Sequence, residues 1–475
     1  MRGEDCVREL ERRLGRDRVA SSGPLLRLYS REPSGLEGRA LAVVWPEREE
    51  HVSTVLRTCY KHGTPIYAQG SATSLSGNAV PEEGVVVSFE RMNRIREISV
   101  VDSLAVVEPG VRIDDLNTAL QEKGYMFPVD PASSAVATVG GAISNGAGGL
   151  RGAKYGTMRD WVLGLRLGLA DERGTIIEVG CRTVKCRQGY DLTRLIVGSE
   201  GTLGLVTLAY LRITPVPEDS VYALAFYPGL DRLMEAFIEI KESGLNPFML
   251  EFMDAETVRL ASRNLSLPYT AEGDMLLVGV ETYREASPRV LSTLEEILRR
   301  HGPKTLVTAR GWREAVEEKR LLAVRKNLFA GQASMIMERL QGRGRPRVLI
   351  EDIVVPPSRV PEAVRRIREL GERYGLTVLI GGHIGDGNLH PAVGFDASDP
   401  EAARRVEEWF RRVMEVAVDL GGSVSAEHGI GTLKAWGLRM ELERKGSLRA
   451  LDLMRSIKRA FDPKGILNPG KVLPE

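Results

Sequence analysis

No run in this 475-residue chain approaches 18 uninterrupted apolar residues, so no membrane-spanning helix is expected. The opening Met1-Arg-Gly-Glu-Asp5 is charged and leads into an amphipathic pattern of Val7, Leu10 and Leu14, without the apolar stretch of a secretory signal. Neither sign of charge is in excess. With 65 Lys and Arg against 64 Asp and Glu, a formal net charge of +1 gives no electrostatic basis for nucleic acid as a partner. The short basic stretch Arg343-Gly-Arg-Pro-Arg347 reads as a solvated loop. Cysteine is scarce, and positions 6, 59, 181 and 186 form no CxxC motif, so four unpaired thiols and a cytoplasmic setting are expected. Two nucleotide motifs are also missing. No GxGxxG follows a strand and opens a helix. Gly465-Ile-Leu-Asn-Pro-Gly-Lys471 matches GxxxxGK, but Val472 replaces the magnesium-holding Ser or Thr and too few residues follow for the phosphate-cradling helix.

What is abundant is glycine. The 50 glycines gather at 63–84, 140–156, 198–204, 381–387, 421–431 and 465–470, where backbone must turn sharply or approach a ligand closely. Length alone requires at least two domains. In the first half, short strands are predicted at 41–45, 65–67, 85–89, 95–100, 104–108, 163–169, 175–179 and 205–213, with helices over 46–60 and 114–123. Pro215 and Pro217 mark a boundary. Beyond it, strands at 221–227, 274–281, 304–308, 348–355 and 376–380 alternate with helices at 230–243, 285–300, 312–330, 358–373 and 400–420. The tail over 432–461 reads as helical.

Three segments carry candidate chemistry. Gln69-Gly-Ser-Ala-Thr-Ser-Leu-Ser-Gly77-Asn78 follows a strand, and its hydroxyls and backbone N–H groups can form a nest for a pyrophosphate without a basic side chain. Histidine occurs six times; His51, His62 and His301 flank ordinary helices, whereas the other three lie in glycine-rich loops. His383-Ile-Gly-Asp-Gly-Asn-Leu-His390 carries two imidazoles around a turn, and Ser425-Ala-Glu427-His428-Gly adds a carboxylate and a third imidazole. Two imidazoles and a carboxylate suit Zn, Mn or Fe with open positions. A hydrogen-bonded histidine cluster orienting the loops is the alternative these residues leave open.

Taken in order, the Gln69–Asn78 loop, Val129-Asp-Pro131 with Thr138-Val-Gly-Gly-Ala-Ile-Ser-Asn-Gly-Ala-Gly-Gly149 and Tyr155-Gly156, and Gly198-Ser-Glu-Gly-Thr-Leu-Gly-Leu-Val206 resemble the FAD-binding domain of the vanillyl-alcohol oxidase/p-cresol methylhydroxylase superfamily. Within it the chain is similar to the D-lactate dehydrogenase, glycolate oxidase and D-2-hydroxyglutarate dehydrogenase group, from about residue 30 to 475. The resemblance implies an α+β fold: a two-subdomain FAD-binding domain over 1–216, a substrate or cap domain with a helix-covered sheet over 217–425, and a segment over 426–475 returning to the FAD domain. It implies that Gly70, Ser71, Thr73, Ser74, Gly77 and Asn78 wrap the FAD pyrophosphate. Pro131, Ser133, Thr138, Gly140, Gly141, Ser144, Asn145, Gly148, Gly149, Tyr155 and Gly156 would then hold the adenosine and flavin portions together with Gly201, Thr202, Gly204 and Val206. Asn468, in the NPGK match at 468–471, returns to the flavin end. Gln69 departs from the family's usual Arg. The loop has no His or Cys, so non-covalent FAD is expected.

The same resemblance implies His383, His390 and Glu427 as ligands of a divalent metal, His428 as the base for the 2-hydroxyl proton and Arg325 as the grip on a substrate carboxylate. Relatives acting on D-2-hydroxyglutarate carry Lys and Asn where Ile350 and Ala392 stand, so a small D-2-hydroxy monocarboxylate is expected, D-lactate before glycolate. Its oxidation to the 2-oxo acid would pass hydride to the flavin N5. An external electron acceptor or redox partner subunit is implied, which would allow a peripheral place at a membrane. The rival readings are a D-2-hydroxyglutarate-type dehydrogenase, an alkyl-dihydroxyacetone-phosphate synthase and a non-catalytic flavin-binding subunit of a larger complex.

Overall fold

The computed structural model describes residues 2–474, which divide into two compact units. The first comprises Met1–Gly149, Gly156–Val216 and Glu427–Glu475; the second comprises Leu150–Tyr155 and Pro217–Ala426. The expected first domain is thus interrupted at Leu150–Tyr155. Apolar packing and charge pairing account for this: Leu150 and Tyr155 pack on the second unit's core, and Lys154 and Tyr155 both bind Glu281.

In the first unit, Ala40–Val44, Gly84–Ser88 and Ile66–Gln69 form a parallel sheet, with Val19–Ala20 added antiparallel at its edge. The apolar runs ALAVV and GVVVS suit strands buried on both faces. Helix Glu49–His62 makes the parallel crossover and packs Val52, Val55, Leu56 and Cys59 against Cys6, Val7, Leu10 and Leu14 of helix Arg2–Leu14. A five-stranded antiparallel sheet follows, in the order Ile95–Ser99, Leu104–Val107, Leu205–Arg212, Val162–Gly168, Ile176–Gly180. The C-terminal segment hooks back onto the parallel sheet: Ile66 N–H donates to Ile466 O at 2.7 Å, and Asn468 N–H donates to Ile66 O at 2.8 Å.

The second unit holds an eight-stranded antiparallel sheet. Its first part, from Asp219–Tyr227 through helix Leu230–Glu242, strands Met249–Met253 and Asp274–Thr282, helix Ser287–Arg300 and strand Thr305–Arg310, follows the β-α-β-β-α-β order of ferredoxin-like folds with helix Ala255–Ser262 inserted between the two middle strands. Strand Met249–Met253 pairs onward with Val378–Gly382, then come Asn388–Asp396 and Pro346–Ile350, and Ile353–Val354 pairs with Asn388–Asp396 as the eighth strand. Helices Val360–Tyr374 and Pro400–Asp419 bury their apolar sides. The α+β class follows from these segregated strands and helices.

Three expectations are corrected. The helix predicted over 312–330 is broken at Arg320, whose φ is +53°, and regular helix resumes at Ala323–Lys326 and Leu328–Leu340. The tail divides into Ala435–Arg444 and Arg449–Phe461 around Gly446. Cys181 and Cys186 form a disulfide rather than two thiols, because the loop after strand Ile176–Gly180 brings their Cα atoms to 5.9 Å. Cys6 and Cys59 are buried thiols 3.7 Å apart. Among the described residues no helix is long and apolar enough to cross a membrane.

Candidate active site

The glycine-rich loops of the first unit enclose a cavity of about 250 Å³. Its walls come from three chain regions, 68–79, 131–147 and 200–206, together with Phe89, Pro109, Glu427 and His428. The parallel strand Ile66–Gln69 delivers the first loop. Gln69, buried at its base, donates from Nε2 to Tyr29 O at 2.9 Å and Ala79 O at 2.6 Å, so the residue that replaces the family's Arg staples the two ends of the loop together. The second region is ordered by Thr138, which caps helix Val139–Asn145 by accepting Gly141 N–H at 3.2 Å. Gly70 lies against this cap: a Cβ there would stand 2.1 Å from Thr138 Oγ1.

Gly70, Ser71, Thr73, Ser74, Asn78, Pro131, Ser133, Thr138, Gly140, Gly141, Ser144, Asn145, Gly201, Gly204 and Val206 line the cavity. The other residues expected to touch FAD are placed differently. Gly77 N–H donates to Glu32 at 2.5 Å, and Thr202 Oγ1 donates to Ser199 O at 2.7 Å. Gly148 lies beside Glu427, Gly149 against the Asp130 carbonyl and Gly156 against Asp160. Tyr155 belongs to the second unit, where its hydroxyl donates to Glu281 at 2.6 Å. Asn468 Nδ2 donates to the carbonyls of Asn78 and Glu200, at 3.1 and 2.5 Å, so it braces the loops from behind.

Among the described lining residues the only ionisable side chains are Glu200, Glu427 and His428. With no Lys or Arg there, a pyrophosphate would be held by backbone N–H groups and by the hydroxyls of Ser71, Thr73, Ser74, Ser133 and Ser144. A cradle of small residues without a basic side chain fits the anionic and amide edges of a flavin dinucleotide through its backbone N–H groups.

Glu200 lay inside a quoted glycine motif, yet sequence reasoning gave it no role. Its carboxylate accepts Ile430 N–H at 2.6 Å and Gly431 N–H at 2.9 Å. Burial pushes its pKa up to about 7, against the lowering effect of those backbone donors and the Asn78 amide. Asn78 Nδ2 donates to Asn145 Oδ1 at 3.2 Å, and Asn145 Nδ2 donates to Glu427 O at 2.6 Å. These bonds fix the backbone on both sides of His428. Gly429 between them has φ +81°, and a Cβ there would meet Asn78 Nδ2 at 2.6 Å and Glu200 Oε1 at 2.7 Å, so only glycine fits. His428 Nε2 is 3.9 Å from Glu427 Oε1.

The second unit brings Arg325, His383 and His390 together around two carboxylates. Glu251, fully buried in strand Met249–Met253, accepts Arg325 Nε–H on Oε2 at 2.7 Å. Its Oε1 lies 2.7 Å from His383 Nδ1. Burial alone would raise the Glu251 carboxyl, but His383 and Arg325 outweigh it and hold it below the usual carboxylate range. An ionised Glu251 makes His383 Nδ1 the proton-bearing nitrogen, so His383 would bind a metal through Nε2. The rings of His383 and His390 are nearly perpendicular, with centroids 5.3 Å apart. Asp352, also fully buried, accepts Asn388 Nδ2–H at 2.9 Å, Ser425 Oγ–H at 3.0 Å and Ala426 N–H at 2.9 Å. Its Oδ1 stands 3.8 Å from His390 Nδ1. Ile350 and Ala392, the two positions expected to discriminate against a second substrate carboxylate, are directly opposed partners on neighbouring strands.

Glu251 and Asp352 were both missed by the sequence reading. The available signal was a single carboxylate inside an otherwise apolar strand, MLEFM, where burial without a partner is costly.

Comparison with known proteins identifies the family. Residues 40–180 match the FAD binding domain family, and residues 216–472 match the C-terminal domain of the FAD linked oxidases. The chain is 36% identical over 456 residues to a glycolate oxidase subunit of Bacillus subtilis, covering 95% of this chain and 93% of that one. It is 37% identical over 438 residues to a D-lactate dehydrogenase of Archaeoglobus fulgidus, covering 91% of each. Among solved structures, p-cresol methylhydroxylase superposes with a TM-score of 0.77 at 17% identity, over 99% of this chain and 96% of that one. An alkyldihydroxyacetonephosphate synthase superposes at 0.72, also at 17% identity, over 98% of this chain and 84% of that one, so the shared fold does not select the chemistry. The chain belongs to the FAD-linked oxidases, and is a flavin-dependent oxidoreductase related to D-lactate dehydrogenases and glycolate oxidase subunits.

Proposed function

We propose that this enzyme oxidises a small D-2-hydroxy monocarboxylate, D-lactate in preference to glycolate, to the corresponding 2-oxo acid. Bound non-covalently, FAD would supply the two-electron acceptor, later reoxidised by an external acceptor or a redox partner subunit. A divalent metal, Zn, Mn or Fe, would supply Lewis acidity toward the 2-hydroxyl; His383 and His390, with Glu427, are the ligands proposed for it.

Arg325 is assigned the substrate carboxylate. Its Nε is committed to Glu251, which leaves the two Nη groups as the pair that would meet an anion. His428 is assigned the hydroxyl proton, as a general base whose neighbouring backbone is fixed by Glu200 and Asn145. The glycine cradle of the first unit is assigned FAD.

The observation that supports the reading is the shared anchoring of Arg325 and His383 on the fully buried Glu251, which would hold a carboxylate grip and a metal-binding imidazole on one group. The choice of a monocarboxylate is supported by Ile350 and Ala392, an apolar cross-strand pair without a donor for a second carboxylate. A hydroxyglutarate-type dehydrogenase is disfavoured by that pair, and the alkyl synthase by the close relatives among hydroxy-acid enzymes.

Anaerobic titration of the FAD-loaded protein with D-lactate, L-lactate, glycolate and D-2-hydroxyglutarate tests the proposal, with metal analysis of the same sample. Flavin bleaching by D-lactate ahead of the others is expected. Bleaching by D-2-hydroxyglutarate alone, or by no hydroxy acid, refutes it.

A further inference from the structure

Glu251 stands where a carboxylate is expensive. The four other residues of its strand are apolar, all five are buried, and Glu251 itself has no exposed surface. A charge placed there must be matched by partners, and both come from elements far away in sequence. Arg325, in the short helix Ala323–Lys326, is 74 positions distant, and His383, at the end of strand Val378–Gly382, is 132 positions distant. The two oxygens are divided between them, one each, at 2.7 Å.

That division has a geometric consequence. Among the described residues the Arg325 side chain has no protein hydrogen-bond partner other than Glu251, so the carboxylate alone sets the plane of the guanidinium. The same carboxylate fixes the tautomer and ring direction of His383. Neither group can turn without pulling on the other's anchor. A 2-hydroxy acid presents its carboxylate and hydroxyl at a fixed separation, on adjacent carbons, and a protein that grips both needs the two grips held at a matching spacing.

We propose that Glu251 is a positioning residue that couples the substrate-carboxylate grip to the metal ligand, so that metal affinity and substrate affinity depend on one side chain touching neither. The inference rests on the assignments of Arg325 and His383 made above. Glu251 orients Arg325 for the anion and holds His383 with its proton on Nδ1.

The test compares E251Q, E251D and H383A with the wild type, all FAD-loaded. Affinities for Zn2+ and Mn2+ are measured by competition with a chromophoric chelator, and kcat and KM for D-lactate at saturating metal. Glutamine keeps one acceptor for two donors, so E251Q is expected to bind metal 10- to 100-fold more weakly. Its KM for D-lactate should rise by more than its kcat falls, and excess metal should restore occupancy without restoring KM. Aspartate keeps the charge but is one methylene shorter and cannot reach both partners. E251D should therefore lose one of the two properties more than the other, and it carries the test should E251Q fail to bind FAD. Wild-type metal affinity together with wild-type KM in the folded Glu251 variants overturns the coupling. Wild-type metal affinity in H383A overturns instead the metal assignment on which it stands. A role confined to folding would lower thermal stability and leave both constants of the folded protein unchanged.

Discussion

Replacing Glu200 with glutamine removes one carboxyl from the wall of the glycine-lined cavity, and the effect can be counted in protons. In the folded protein burial raises this group to about 7, from an ordinary value of 4.5. At pH 6 a group of pKa 7 is about nine-tenths protonated, whereas the same group in the unfolded chain has lost its proton almost completely. Unfolding at pH 6 therefore releases about 0.9 proton from Glu200. The sign is that of a buried acid with a raised pKa. Its contribution is absent below about pH 4.5, grows unfavourable as pH rises toward 7, and then levels at about 3 kcal/mol. The assay is calorimetry of guanidinium unfolding of the flavin-free protein at pH 6 in two buffers of different ionisation enthalpy, where the difference in heat yields the proton count without a two-state assumption. Titrating groups that do not interact with Glu200 cancel when wild type and E200Q are compared, while Glu32 and Lys471, which feel its charge, set the remaining difference. Wild type should release about 0.9 proton more than E200Q at pH 6, and nearly equal numbers at pH 9. Equal release at pH 6 refutes the reasoning, and would mean that the N–H groups of Ile430 and Gly431 hold Glu200 ionised.

Three further outcomes are expected. H428A should retain FAD, seen in its visible absorbance, yet lose single-turnover flavin reduction by D-lactate; normal reduction would remove His428 from the role of base. G429A forces a Cβ into Asn78 and Glu200 in a left-handed backbone conformation, and should cost about 3 kcal/mol in the thermal unfolding of the first unit. The double variant I350K/A392N supplies donors on two opposed strand positions and should gain turnover with D-2-hydroxyglutarate relative to D-lactate; an unchanged ratio would show that the discrimination lies elsewhere.

Much of the fold is legible in the sequence because its signals are local. Apolar runs such as ALAVV, and the helical spacing of Val52, Val55, Leu56 and Cys59, are set by neighbours within a few residues. The glycine loops were legible for another reason: an extended ligand cradle without side chains leaves a composition signal. What escaped was set by partners far off in the chain. Strand Asn388–Asp396 contains Pro391 and Gly394, both poor strand residues, and reads as a loop until its neighbours Val378–Gly382 and Pro346–Ile350 are in place. Strand Met249–Met253 is short, and the carboxylate in it argues against a buried strand unless Arg325 and His383 are known to meet it. The break at Arg320 leaves helical periodicity intact on both sides, so the pattern alone runs through it.

The hook formed by residues 466–468 on strand Ile66–Gln69 has a consequence for synthesis. Roughly 400 residues separate these partners, and the whole of the second unit is translated between them. The nascent first unit must wait, with Ile66 still lacking the carbonyl of Ile466 and with Asn468 not yet behind the loops it braces, while Pro217–Ala426 is made and folds on its own helices and strands. A ribosome stalled anywhere before residue 466 therefore carries a flavin half that cannot close. A product truncated before residue 466 is therefore expected to hold flavin less well than the full chain, because the loops it would use lack the brace of Asn468.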